Sequence, residues 1–111
     1  MTQFDKETLA PFFEEWEAIR EDIAALYAGQ DRQVIGIMTT AIEKYQELLE
    51  YGGQEPNERT GKIDYILLPL NGEERFEFVK AKIASHYAYV QLDALYTETK
   101  KKVARLAIRK R

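Results

Sequence analysis

Apolar residues recur at three- and four-residue intervals over three long stretches of this chain, and that spacing restricts the fold more than any other feature of the sequence. The rhythm matches the 3.6-residue turn of an α-helix and gathers the apolar side chains into one stripe. In the first stretch Phe12, Trp16, Ile19, Ile23 and Leu26 form the stripe and Phe13 and Tyr27 widen it, while Glu14, Glu15, Glu17, Glu21 and Asp22 fall largely outside. The pattern predicts a helix from about Leu9 to Ala28, with Thr8 as its N-cap, Pro11 in the first turn and Gly29 as its stop. Asp31 then caps a second helix over about Arg32–Tyr51, with Val34, Met38, Ile42 or Ala41, Tyr45 and Leu49 on the inner face. Gly36 within it either admits another backbone or is tolerated at a cost of about 1 kcal/mol relative to alanine.

Gly52 and Gly53 close the second helix, and GGQEPNERTGK (residues 52–62) reads as a polar loop rich in turn formers. IDYILLPL follows, too short and too broken for a long helix. It is expected to be one helical turn or an extended strap that buries Ile66, Leu67 and Leu70. Asn71-Gly-Glu-Glu74 has the form of a capping box, in which Asn71 accepts from an amide and Glu74 reaches back. The short third helix, about Gly72–Ile83, is expected to bury Phe76, Val79 and Ile83. Phe76 and Phe78 are two apart and cannot share a helix face. Ser85 caps the fourth helix, along which Tyr89, Leu92, Tyr96, Thr99, Val103 and Leu106 keep the same rhythm. The expected fold is therefore all-α: an antiparallel bundle of three long helices and one short helix, with an apolar strap between the second and third. At 111 residues it forms one domain, residues 1–111.

Composition narrows the chemistry. The chain has no cysteine and one histidine, His86. A disulfide scaffold, thiol catalysis and cysteine-ligated zinc are thereby excluded, and a reducing compartment fits. The acidic start, MTQFDKETLAPFFEEW, does not have the form of a signal peptide, and no apolar run reaches the length of a membrane span. The expected location is the cytoplasm. Charge is split along the chain. Residues 1–99 hold nine Lys and Arg against all nineteen acids, a net of −10, whereas KKKVARLAIRKR (residues 100–111) holds seven cations and no acid, a net of +7.

Candidate chemical groups are few. Glu14 and Glu17, Glu47 and Glu50, and Glu74 and Glu77 are each three apart, as in carboxylate-bridged metal bundles, but no Glu-x-x-His accompanies them. They read as solvated faces, and neither metal nor cofactor is expected. His86 lacks an evident nucleophile or acid beside it. The aromatics have the spacing of a core, and no phosphate-binding glycine loop is present.

The basic helix end carries the strongest remaining signal. On a helix Lys101, Lys102, Arg105 and Arg109 lie within about 100° of one another. Such a strip can meet nucleic-acid phosphates or an acidic partner. It can equally serve the helix dipole, pair with the protein's own acids, or be a loose terminus. The acidic body repels nucleic acid at long range. The leading expectation is a non-enzymatic module that binds a protein partner or a second copy of itself. A nucleic-acid accessory protein is the alternative, and a small-ligand pocket or enzyme site between the strap, Tyr65 and His86 is the third.

From Ile66 to Lys102, about a third of the chain, the sequence resembles the YpoC-like family of small bacterial proteins of unknown function. Leu68, Pro69, Asn71, Glu73, Glu74, Arg75 and Phe78 carry the first part of the resemblance, and Tyr87, Gln91, Leu92, Leu95 and Tyr96 the second. Leu70 stands where the family pattern has Pro, and the order His86-Tyr87 inverts its Tyr-His pair. The resemblance implies a helical protein of a Firmicute-type bacterium and brings no catalytic residue with it.

Overall fold

The computed structural model describes residues 6–109, with side chains through residue 106. Four helices and one small hairpin follow one another: α1 (Lys6–Ala28), α2 (Val34–Gly52), β1 (Gln54–Pro56), β2 (Ile63–Tyr65), α3 (Gly72–Ala81) and α4 (His86–Arg109). α4 packs along both α1 and α3, α1 also lies against α2, and β2 rests on α2. The molecule measures 45 × 30 × 16 Å. Its least dimension is that of two packed helices.

α1 already includes Lys6, so Thr8 lies inside the helix and does not cap it, and Pro11 sits in the second turn instead of the first. Pro11 is tolerated there on the exposed side. The buried stripe is Leu9, Phe13, Trp16 and Ile23, with Phe12, Ile19, Leu26 and Tyr27 at its borders. Phe13 displaces Phe12 because its ring meets Tyr96 of α4 edge-on at 6.5 Å, while Phe12 turns aside to Tyr51 at 5.6 Å.

α2 starts at Val34 with Gln33 as its N-cap, so Asp31 does not cap it; the Asp31 carboxylate accepts the Gln33 amide at 2.9 Å in the turn ahead of the helix. Within α2, Ala41 takes the inner position and Ile42 is half-buried. Gly36 faces open space with no atom near the position of a Cβ, so no backbone approaches it. Gly52, the last residue of α2, is different. A Cβ there would overlap the Leu67 side chain, which is fully buried.

The stretch expected to be loop contains the hairpin. β1 and β2 pair antiparallel, with Gln54 opposite Tyr65, Glu55 opposite Asp64 and Pro56 opposite Ile63. Asn57 organises the turn. Its amide donates to the Lys62 carbonyl at 2.7 Å, and its side-chain oxygen accepts the amides of Arg59 and Thr60. Its side-chain nitrogen donates to Asp64 at 2.9 Å, locking the turn to β2.

After β2 the strap, residues 66–70, crosses the bundle. Leu67 is fully buried and Leu68 half-buried, but Leu70 is 74% exposed, contrary to expectation. The inward-turned Pro69 leaves the next side chain pointing to solvent. Asn71 adopts a left-handed backbone (φ 56°, ψ 24°), and its side chain caps nothing, so the capping box is not formed. The Gly72 amide goes to the Pro69 carbonyl at 2.8 Å instead. α3 buries Phe76 and Val79, ends at Ala81 and leaves Phe78 on the exposed side. Ser85 does open α4, its hydroxyl accepting the Tyr87 amide at 3.1 Å.

The core centres on Tyr96. Its ring stacks on Trp16 at 4.6 Å and 7°, meets Tyr45 edge-on at 5.0 Å, and its hydroxyl donates to the Ala41 carbonyl at 3.1 Å. One α4 residue thus ties α1, α2 and α4 together. Among the described residues no helix is long and apolar enough to cross a membrane.

Candidate binding groove

Three carbonyls of the strap turn toward the helices, and each receives a side-chain donor. Thr99 Oγ1 donates to the Leu67 carbonyl at 3.2 Å, Lys102 Nζ to Leu68 at 3.0 Å and Arg75 Nη1 to Leu70 at 3.0 Å. Because Thr99 has a single proton, the Tyr45 hydroxyl at 2.7 Å is the donor of the bond between them. A strap crossing a helical bundle has no backbone ladder for these carbonyls, so side chains must satisfy them. Gly72 allows the close seat: a Cβ there would come within 2.5 Å of Leu68 Cγ.

The clamped strap forms the floor of an open groove of about 1070 Å3 between the hairpin, the start of α3 and the last turns of α4. Ile66, Leu68, Pro69 and Leu70 provide its apolar strip. Lys101, Lys102 and Arg105 stand on the α4 wall, and Glu73 and Glu74 on the α3 wall. Glu55, Glu58, Arg59 and Asp64 come from the hairpin. The groove is therefore polar and of mixed charge, with its cations concentrated on one side.

Arg75 fixes the corner between α3 and α4. Its guanidinium grips Glu98 through two bonds, of 2.9 and 2.7 Å, while Nε donates to Gln91 at 2.7 Å. The Arg75 hydrogen bonds, helped by the Arg75 charge and by nearby Lys101, hold the Glu98 carboxyl below its ordinary range against a smaller opposing effect of burial. Lys102 behaves differently from its neighbours. Desolvation lowers the pKa of its ammonium, and the Arg105 charge adds to the lowering, with Glu55 opposing.

The four residues of the expected basic strip are thus not equivalent. Lys101 and Arg105 are exposed and make no hydrogen bond or ion pair among the described residues, whereas Lys102 is committed to the strap. Arg109 lies in the last turn of α4, and its side chain, like Lys110 and Arg111, falls outside the described residues. Lys100, next to the strip, reaches Glu17 of α1 at 2.7 Å. Sequence spacing identified the strip but missed Arg75 and Glu98, which are 23 residues apart and carry no local signature.

The remaining candidates separate. His86 opens α4 among Tyr27, Tyr87 and Tyr89. The strap meets the same helix at Thr99, thirteen residues or about 20 Å further on. His86 and the strap are therefore not brought together, and His86 does not line the groove that Tyr65 shares with the strap. Glu14, Glu17, Glu47, Glu50, Glu74 and Glu77 are all exposed.

A second polar site joins α1 to α4. Asp93 receives Trp16 Nε1 at 2.8 Å and the Arg20 guanidinium at 2.9 and 2.6 Å. Burial alone would raise the Asp93 carboxyl, but the bonds from Arg20 and Trp16 outweigh it and hold the group below its ordinary value. Its oxygens are occupied by these donors, and the site reads as a helix-to-helix tie.

Fold and groove together define a small, mostly helical protein with a clamped strap and a mixed-charge groove at one end of its longest helix. A family model described as YpoC-like protein matches residues 6–111, so the chain belongs to the YpoC-like family. The match spans nearly the whole chain, well beyond the segment on which the resemblance first rests. Nothing among curated proteins and nothing among solved structures matches it.

Proposed function

We propose that this protein is a non-enzymatic interaction module of the bacterial cytoplasm, in a Firmicute-type cell, whose groove takes a segment of a partner protein. The observation that carries the reading is one juxtaposition. Leu70, 74% exposed, lies in the same groove as Lys101 and Arg105, which make no ion pair among the described residues. A segment with an apolar anchor over Leu70 and acidic side chains facing Lys101 and Arg105 would match both features. Nucleic acid fits the groove less well. Glu55, Glu58, Glu73 and Glu74 face the cations across it, and Lys102 is already engaged.

A photo-crosslinking residue placed at Leu70, with Arg32 on the far end of the molecule as control, tests the reading in the cell of origin. One discrete protein adduct at Leu70 is expected, absent at Arg32 and lost when Lys101 and Arg105 are both changed to Glu. An adduct to a second copy of the chain would make the partner the protein itself. Equal adducts at both positions, or adducts indifferent to the double charge reversal, would refute the groove as the binding site.

A further inference from the structure

We propose that Lys102 is a modification site, an acyl acceptor for small acyl phosphates, with Lys101 and Arg105 as the flank that draws in the donor's phosphate. The inference does not depend on any protein occupying the groove. Three features of the geometry support it.

First, Lys102 lies on the groove wall, half-buried yet open to the groove, and its Nζ donates to a neutral carbonyl, that of Leu68. Lys80 and Lys100, by contrast, are paired with the carboxylates of Glu77 and Glu17. Second, the surroundings of Lys102 favour the neutral amine on balance. Desolvation acts most in that direction and Arg105, one turn on, adds to it, while Glu55 of the hairpin acts against it. Third, the two exposed cations beside it, Lys101 and Arg105, have no ion pair among the described residues. A phosphate dianion is attracted to such a pair, and this places the carbonyl of an acyl phosphate beside the amine.

The chemistry balances without a further reactant. The neutral Nζ attacks the carbonyl carbon, a C–N bond forms, and the C–O bond to phosphate breaks with its electron pair leaving on the phosphate. The extra proton on nitrogen passes to water. The product is an N-acyl lysine that no longer carries charge. Lys102 would then lose its ammonium contact to the strap, and the α4 wall would keep Lys101 and Arg105 as its cations.

The test is a time course of the intact purified chain with acetyl phosphate at pH 7.5, read as acetyl occupancy of each lysine by mass spectrometry. Because desolvation and the Arg105 charge favour the neutral amine, Lys102 is expected to react severalfold faster than the exposed Lys62 and Lys82. Arg105→Gln should slow it while desolvation keeps part of the preference, with the helical circular dichroism unchanged because Arg105 is exposed. An uncharged donor, the N-hydroxysuccinimide ester of acetate, should show a smaller preference for Lys102. Acetylation of Lys102 no faster than Lys82, or a rate insensitive to Arg105→Gln, would overturn the proposal. So would a preference identical for the two donors, which would remove the phosphate-binding role of the flank.

Discussion

Asp93 shows how much one residue can hold in a small bundle. Its carboxylate satisfies the indole N–H of Trp16, a residue 3% exposed, and pairs with Arg20. Asp93→Ala leaves that indole donor buried with nothing to accept it, and is expected to cost about 1–3 kcal/mol in urea unfolding. Asp93→Asn keeps an acceptor for Trp16 and should cost less. The pH dependence follows from the sign of the shift. The folded-state pKa is lower than the unfolded one, so the stabilisation is fully present above the unfolded value near 4. It disappears as pH falls through the lower, folded-state pKa. Acid titration of the wild type should therefore show a loss of stability below about pH 4 that is shallower in Asp93→Asn, with Glu98 contributing the remainder in the same direction.

Two glycines in α2 separate sequence propensity from packing in the same way. Gly36 faces open space, so Gly36→Ala should stabilise the protein by about 0.5–1 kcal/mol. At Gly52 the same change drives a methyl into Leu67, and should destabilise by about 1–3 kcal/mol in the same assay. The sequence marks one as interior and the other as terminal, but not which of them is in contact with another side chain. Each is a glycine near apolar residues, and only the strap folding back over Gly52 decides which one is under contact.

At the scale of elements the helices were legible and the connections were not. α2 and α4 run close to their expected spans because their stripes are long enough to define a period, and Asp31 and Ser85 act locally within two residues. The hairpin escaped because strands of three residues, QEP and IDY, show no alternation to read. Its turn chemistry was visible in Asn57 and Gly61, yet the same residues suit a plain loop. The capping box failed for a related reason. The Asn71 backbone is set by where the buried Leu67 and Pro69 leave the chain, and in a left-handed conformation its side chain does not cap α3. The groove inherits this limit, since its floor belongs to the strap and one of its walls to the hairpin. Asn57→Ala tests how independent the hairpin is. It removes the acceptor for Arg59 and Thr60 and the donor to Asp64. Amide exchange should quicken over residues 57–65 while the amides of α1 and α4 keep their protection.

For the whole molecule, the basic end of the chain is part of the fold as well as a charged surface. Val103 is 2% exposed, Leu106 packs at the core's edge, and Lys102 holds the strap, so the last turns of α4 complete the core before they present any charge. Charge and packing in this region are therefore separable by experiment. Ending the chain at Thr99 removes the buried Val103 side chain and one of the three donors to the strap. Losses of this kind amount to about 3–5 kcal/mol together, a large share of the 5–15 kcal/mol typical of a domain. The shortened chain should melt well below the full one in circular dichroism at 222 nm. Lys101→Gln with Arg105→Gln, which changes exposed charge alone, should melt within a few degrees of wild type. If truncation left the melting temperature unchanged, the last turns would be dispensable to the core and the docking of α4 beyond Thr99 would be wrong. Loss of partner binding in the double charge variant, at unchanged stability, would then be attributable to the groove and not to unfolding.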